Sequence, residues 1–250
     1  MNIFRKIWAV YGIVVFFLLW IILMPLYLLA FVFFPKRWTK YIIWFSHHIY
    51  TRLFFTLTLV RLEITGLENF DPRQTYIIVS NHRTALDFMI NARAWPGVYK
   101  YLAKKELVKV PVFGLIVKKL CVLVDRRDKA SRSKSMQQMR LALSEGYSIF
   151  LYPEGTRNRT DQPLLPFHKG AFIMAIESGC PIAVQTLVNV NDISDHRHTL
   201  DFAPGRVKVV WAPPVSVEGL TLQDVRKLSD EVAQIMTETL QQGKDSHNIV

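Results

Sequence analysis

The sequence predicts an α/β fold, a mixed, largely parallel sheet flanked by helices and preceded by an N-terminal hydrophobic two-helix membrane-binding element. Three observations carry this. From about residue 60, short β-branched runs alternate with segments of helical periodicity. Several of those runs are apolar at every position, as strands covered on both faces should be. Before residue 60 the texture is different: residues 7–34 carry no charge, and residues 41–60 carry only Arg52. The expected division is residues 1–58 as a membrane-binding helical hairpin and 59–250 as the α/β catalytic domain.

As one straight helix, residues 7–34 would measure roughly 42 Å, more than a bilayer core of ~30 Å. A signal peptide fits less well, because the run is too long and no A-x-A site follows. Pro25 should kink the helix. If both apolar runs crossed, Lys36, Arg37 and Lys40 would lie outside while Arg5 and Lys6 lay inside, against the positive-inside tendency. A hairpin sunk into one leaflet keeps every basic residue at the headgroups. A single crossing by 7–34 also avoids the conflict. The leaflet hairpin is the preferred expectation, with the catalytic domain facing the cytoplasm.

The strand candidates follow in order: 60–65, 75–80, 121–125, 148–152, 182–188 and 207–212. Helices lie between them. In 131–145, Met136, Met139 and Leu143 share a face, and Gly146 is placed to stop the helix. Residues 171–178 end similarly at Gly179, with Pro181 beyond. In 221–240, Thr221 and Asp224 have the spacing of a capping box, and Val225, Leu228, Val232, Met236 and Leu240 form a core-facing stripe. No internal repeat stands out, and only the tail 243–250 looks loose.

The formal net charge is +11, and it is unevenly placed. Residues 98–170 hold fifteen Lys/Arg against six Asp/Glu, which makes this zone a candidate anion site or a solvated basic face. The basic flanks of the first sixty residues suit anionic lipid headgroups. Cys121 and Cys180 both sit in apolar stretches and read as reduced core thiols.

Chemistry concentrates where strands end. His82 follows the run closing at Ser80, and Asp87 lies five positions on. With a helix starting near residue 83, Asp87 would stand one turn along it and reach back to the imidazole. A carboxylate on Nδ1–H leaves Nε2 to take a proton from a hydroxyl. The stretch "YPEGTR" (152–157) should emerge at the same sheet edge and offers Glu154, Gly155, Thr156 and Arg157. Arg157 can grip a phosphate through two parallel hydrogen bonds. Lys104 and Lys105 precede a Pro and Gly bend, and Lys169 stands at a helix start, a place that favours anions. No serine has a G-x-S-x-G context and neither cysteine has a basic setting, so His82 is expected to activate a substrate hydroxyl. His196 and His198 lack the further residues of a metal site and read as a solvated loop.

Together, "NHRTALD" (81–87), "KKEL…P…G" (104–114) with "VDR" (124–126), "YPEGTR" (152–157) and "CPIAV" (180–184) resemble the 1-acylglycerol-3-phosphate acyltransferases of the glycerolipid acyltransferase family. The likeness covers roughly 60–215. It implies transfer of a fatty acyl group from acyl-CoA or acyl-carrier protein to the 2-hydroxyl of a lysophosphatidate, at the bilayer surface. By position, His82 is the implied general base and Asp87 its orienter. Glu154, Gly155, Thr156 and Arg157 are the implied glycerol-phosphate site, with Lys105 and Arg126 as further substrate contacts and Pro181 in a packing or acyl role; Lys169, from its helix-start position, is a further substrate-binding candidate. Arg83, Thr84 and Asn158 stand where relatives often differ, which bears on acceptor preference. The expected partners are the phospholipid bilayer, a lysophospholipid acceptor and the acyl donor. No metal, redox cofactor or nucleic acid is expected. Another acceptor, a hydrolase using the same pair, and a non-catalytic adaptor are the competing readings.

Overall fold

The computed structural model describes residues 2–33, 39–109, 113–125, 128–195, 197–198 and 200–245. Among them, seven strands form one sheet: β1 (Val60–Thr65), β2 (Ile77–Ser80), β3 (Tyr99–Lys104), β4 (Cys121–Val124), β5 (Ser148–Leu151), β6 (Ile182–Leu187) and β7 (Gly205–Trp211). Their spatial order is β1-β7-β6-β2-β5-β3-β4. Every neighbouring pair is parallel except β6 and β7. The mixed, largely parallel sheet is the one expected. β3 is the strand the sequence pattern missed. Its segment YKYLAK carries lysines that argue against a sheet interior, yet Lys100 places its ammonium 4.3 Å from the centre of the Tyr147 ring.

Strand side chains alternate between two helical layers, as a period of two requires. Ile77, Val79, Ile149, Leu151, Ile182 and Val184 face one core. That core is closed by α6 (Lys129–Ser144), α7 (Gly170–Ser178) and α9 (Val225–Asp245). α6 starts two residues before the expected position because Asp128 caps it, accepting from the N–H groups of Ala130 and Ser131 at 2.9 and 3.2 Å. It stops where expected: Gly146 takes φ +78°, and the N–H groups of Gly146 and Tyr147 close back onto Leu143 and Ala142.

Ile78, Phe150, Ala183, Val207, Val209 and Trp211 face the opposite core. Much of what covers them comes from the N-terminal segment. α1 (Ile3–Phe33) runs unbroken through Pro25. α2 (Thr39–Phe45), a π-helical turn (Ser46–Tyr50) and α3 (Thr51–Leu57) return antiparallel to it. The two arms are joined by hydrogen bonds from Trp8 Nε1 to Thr58 O, Tyr11 Oη to Leu57 O and Tyr50 Oη to Phe16 O, and between Tyr27 and Ser46. Ala9, Val15, Tyr50, Phe54 and Phe55 belong to the same buried cluster as the strands. The 58/59 boundary therefore marks a change of sequence texture and not of packing, because a sheet with two apolar faces needs this layer. α1 nevertheless keeps a long apolar face outward, with Ile7, Phe17, Ile21, Ile22 and Leu29 all exposed. Over Ile3–Ala30 it is long and apolar enough to cross a membrane, and only 17% of its most apolar window is buried. Lys36 and Arg37 lie outside the described residues. Cys121 and Cys180 are both free, and burial pushes the Cys121 thiol up to about 12.

Candidate active site

The site is assembled where β2, β5 and β6 end. Asn81 fixes the exit of the chain from β2. Its side-chain amide donates to Leu187 O at 2.9 Å and accepts from Leu187 N–H at 2.8 Å, adding one more rung to the sheet. His82 comes next. Its backbone N–H donates to Glu154 Oε1 at 2.8 Å, and its carbonyl accepts from Asn158 N–H at 2.7 Å. The imidazole stacks on the Tyr152 ring, with centroids 3.9 Å apart and planes 13° from parallel. Tyr152 is itself held at its hydroxyl by Asn91 Nδ2 at 2.8 Å.

The expected contact between His82 and Asp87 is present: Nδ1 lies 2.8 Å from Asp87 Oδ2. A carboxylate has only acceptors, so this contact puts the hydrogen on Nδ1 and the lone pair on Nε2. The expected geometry was different, however. α4 (Asp87–Ala94) begins at Asp87 and not near residue 83. Residues 83–86 form a turn that converges on the carboxylate. Asp87 Oδ2 also accepts from the N–H groups of Arg83 and Thr84, at 2.6 and 2.9 Å, and Oδ1 accepts from Thr84 Oγ1 at 2.8 Å. Thr84 Oγ1 in turn accepts from Leu86 N–H at 3.1 Å. This is a capping arrangement, with an acid in the first turn where the helix end favours negative charge. The T-x-x-D spacing recognised at 221–224, where Asp224 does accept from Thr221 N–H at 2.9 Å, is repeated at 84–87. That signal could have placed the helix start.

Glu154 occupies a different place from the one expected of a substrate contact. It is 2% exposed, and its two oxygens accept from the N–H groups of His82 and Leu165, each at 2.8 Å. Burial raises its carboxyl above the usual range, against the pull of those two hydrogen bonds. It is committed to holding the histidine segment and the 154–165 loop together. Gly155 takes φ +70°, and a Cβ there would stand 2.5 Å from the His168 ring. The glycine is required by the turn and by that close approach.

A cavity of about 540 Å³ adjoins this array through Arg83, Thr84 and Leu86, while His82 and Asp87 themselves do not line it. Its lining combines apolar residues, Gly12, Ile13 and Phe16 of α1 with Phe54, Leu86 and Phe88, and four arginines, Arg83, Arg157, Arg159 and Arg197. Arg157 is exposed at this cavity. Thr156, Lys105 and Lys169 are exposed but do not line the cavity. Lys105 opens the 3₁₀ turn Lys105–Lys109 after β3, and Lys169 immediately precedes α7. Arg126 and His196 lie outside the described residues. Arg83 spends its guanidinium on the carbonyls of Thr160, Gln162 and Pro163, binding the 160–163 loop. The loop 194–202 was not foreseen as part of the site. Arg5 anchors it through Asp201, Nε to Oδ1 at 2.5 Å and Nη2 to Oδ2 at 2.7 Å, partners 196 residues apart with no motif to announce them.

The fold and site define an α/β protein with a histidine–aspartate pair and open guanidiniums at the carboxyl edge of its sheet, beside apolar side chains. The chain belongs to the acyltransferase family, whose model matches residues 61–186. It is 32% identical over 179 residues to the 1-acyl-sn-glycerol-3-phosphate acyltransferase alpha of Mus musculus and to that of Homo sapiens, alignments that cover 71% of this chain. The chain spans 62% of the length of these relatives. An uncharacterized acyltransferase of Schizosaccharomyces pombe is 30% identical over 74% of this chain and 67% of its own length. The crystal structure of the 1-acyl-sn-glycerophosphate (LPA) acyltransferase PlsC from Thermotoga maritima superposes with a TM-score of 0.78, covering 96% of this chain and 98% of that one. At 20% identity, that likeness establishes the shared fold.

Proposed function

We propose that the protein is a membrane-bound acyltransferase that moves a fatty acyl group from acyl-CoA or acyl-carrier protein to the 2-hydroxyl of 1-acylglycerol 3-phosphate, giving phosphatidate. The observation that carries this reading is the His82–Asp87 pair, 2.8 Å apart, whose next residues Arg83 and Thr84 line a cavity that combines apolar side chains with arginines. The names of the relatives support the acceptor. In the reaction, Nε2 of His82 takes the hydroxyl proton as the oxygen attacks the thioester carbonyl. The C–O bond forms, the C–S bond breaks, and the protonated imidazole returns its proton to the departing thiolate. Asp87 holds the ring and stabilises its charged form, and Arg157 receives the acceptor's phosphate. The step draws on no metal or redox cofactor.

The acceptor is a lipid, so the site belongs at a bilayer surface. Ala9 and Val15 of α1 share a buried cluster with Tyr50, Phe54 and Phe55 of the returning arm, whose Ile43 joins the opposite core, and the two arms hydrogen-bond to each other. This packing supports a hairpin lying in one leaflet, since a crossing by α1 alone would pull it off the core; with the catalytic domain taken to face the cytoplasm, that leaflet is the cytoplasmic one. The test of the chemistry is His82→Ala in detergent-purified protein given labelled donor and lysophosphatidate. Turnover should fall by roughly 10²–10⁴, with Asp87→Asn also severely impaired. A His82→Ala protein with near-normal turnover would end this mechanism.

A further inference from the structure

Asp87 and Asn91 stand four residues apart on α4, so their side chains leave the same face of the helix, one turn apart. Asp87 takes the edge of the His82 ring, with Nδ1 2.8 Å from Oδ2. Asn91 takes the face of that ring at one remove. Its Nδ2 donates to Tyr152 Oη at 2.8 Å, and the Tyr152 ring lies flat against the imidazole, centroids 3.9 Å apart. The two grips are complementary. A hydrogen bond at Nδ1 fixes one edge of an imidazole and leaves the ring free to rock about that contact, which displaces Nε2 on the far side. A flat surface against the ring stops the rocking. Phenylalanine would offer the same surface, so the hydroxyl of Tyr152 serves the anchor and not the stack.

Asn91 is not the residue that stability alone would place here. It is fully buried, and its Oδ1 has no hydrogen-bond partner among the described residues. Turning the amide over would give the Tyr152 hydroxyl an acceptor and leave the nitrogen bare instead. In either orientation half of the amide is stranded in the core, a loss that an apolar residue of similar size would not incur. Neither Asn91 nor Tyr152 lines the cavity.

We infer that Asn91 and Tyr152 are positioning residues for the base: together they hold the plane of the His82 ring so that Nε2 stays aimed at the acceptor hydroxyl. This rests on the acyltransfer reading above. The pair acts through His82 and not through the substrate.

The test uses Tyr152→Leu, Tyr152→Phe, Asn91→Leu and the double variant Tyr152→Phe/Asn91→Leu, all purified in detergent. Acyl transfer is followed with donor and acceptor varied in turn, and thermal unfolding by circular dichroism. Tyr152→Leu removes the flat surface and should lower kcat by roughly ten- to a hundredfold. Tyr152→Phe and Asn91→Leu keep the surface and release its anchor, and each should lower kcat about three- to tenfold. Both KM values should stay within about twofold, as for an interaction that acts on the chemical step alone. Tyr152→Phe strands the whole amide and should unfold at a lower temperature than the parent. The double variant removes all of these polar groups and should unfold at or above the parent's temperature. Its kcat should nonetheless stay at the level of the lower single variant, because the two ends of one anchor are lost only once. Recovery of kcat together with unfolding temperature would make the pair a structural tie and overturn the inference. So would a double loss that multiplies the single ones, a Tyr152→Leu protein with near-normal kcat, or a change confined to KM. The Nδ1 proton of His82, assigned by nuclear magnetic resonance through its loss in His82→Ala, gives a readout independent of turnover. It should exchange with water several-fold faster in Tyr152→Leu than in the parent or Tyr152→Phe, and unchanged exchange would also overturn the inference. Absence of transfer by the parent would remove the acyltransfer reading itself; transfer by the parent with unaltered variants removes the positioning role alone.

Discussion

Glu154→Gln separates two roles that the sequence could not distinguish. The carboxylate is buried and accepts one hydrogen bond at each oxygen, from the backbone N–H groups of His82 and Leu165. Glutamine has the same shape but only one acceptor. Its oxygen can serve one N–H group, and its amide then points two hydrogens at the other. One buried donor is left unsatisfied, which costs about 1–3 kcal/mol. If the vacated donor is that of His82, the histidine segment moves relative to Asp87, and a displacement of about 1 Å in a catalytic group can cost about 10²-fold in rate. The expected outcome is a fall in kcat of about ten- to a hundredfold, with acceptor KM within about twofold of the parent and a lower unfolding midpoint. The assay is steady-state acyl transfer in detergent with both substrates varied, alongside thermal unfolding followed by circular dichroism. A large rise in acceptor KM with kcat and stability preserved would refute the reasoning, because it would make Glu154 a substrate contact.

The Arg5–Asp201 pair should show as a pH-dependent stability term. Arg5 holds the Asp201 carboxyl below its usual value, so its contribution is complete above the ordinary aspartate value of about 3.9 and is lost as pH falls through the lower folded value. Asp201→Asn should therefore be less stable than the parent at pH 7, with the gap closing below about pH 4; a gap of constant size across that range would show that charge is not its source. The hairpin should resist extraction by high salt and require detergent, given the row of exposed apolar side chains on α1. A single cysteine at Trp38, in a background lacking Cys121 and Cys180, should escape an impermeant thiol reagent added outside intact cells, and its labelling from outside would sink the leaflet arrangement.

The features that were legible in the sequence are those that repeat a local rule. Strands buried on both faces show as apolar runs, so β2, β5 and β6 could be placed from composition alone. β3 could not, because its lysines argue against an interior strand, although Tyr147 and Glu145 receive Lys100. The histidine and aspartate could be paired from their spacing at a strand end, but the turn between them was read as helix. The reason is that the three donors that bend residues 82–84 around one carboxylate are backbone N–H and imidazole groups, whose convergence no spacing rule encodes.

The contacts that reach farthest in sequence were the least visible, and they set the position of the site. His82 is held by Tyr152, Glu154 and Asn158 of one stretch of chain and by Asp87 of another, so two stretches meet on one residue. The first is "YPEGTR" with the residue that follows it, a stretch that looks like a ligand loop. Its Glu154 and Asn158 instead face inward and support the histidine, while Arg157 and Arg159, alternating with them, face the cavity. One loop therefore faces two ways: its inward residues hold the His82 segment, and its outward arginines line the cavity. This couples the two sides physically. A backbone shift at residue 158 that moves His82 through its 2.7 Å hydrogen bond also moves both arginines. The spacing between His82 and these arginines is thereby set by about two residues of chain instead of by the packing of separate domains, and α1, pinned through Arg5 and Asp201, contributes Gly12, Ile13 and Phe16 to the same cavity.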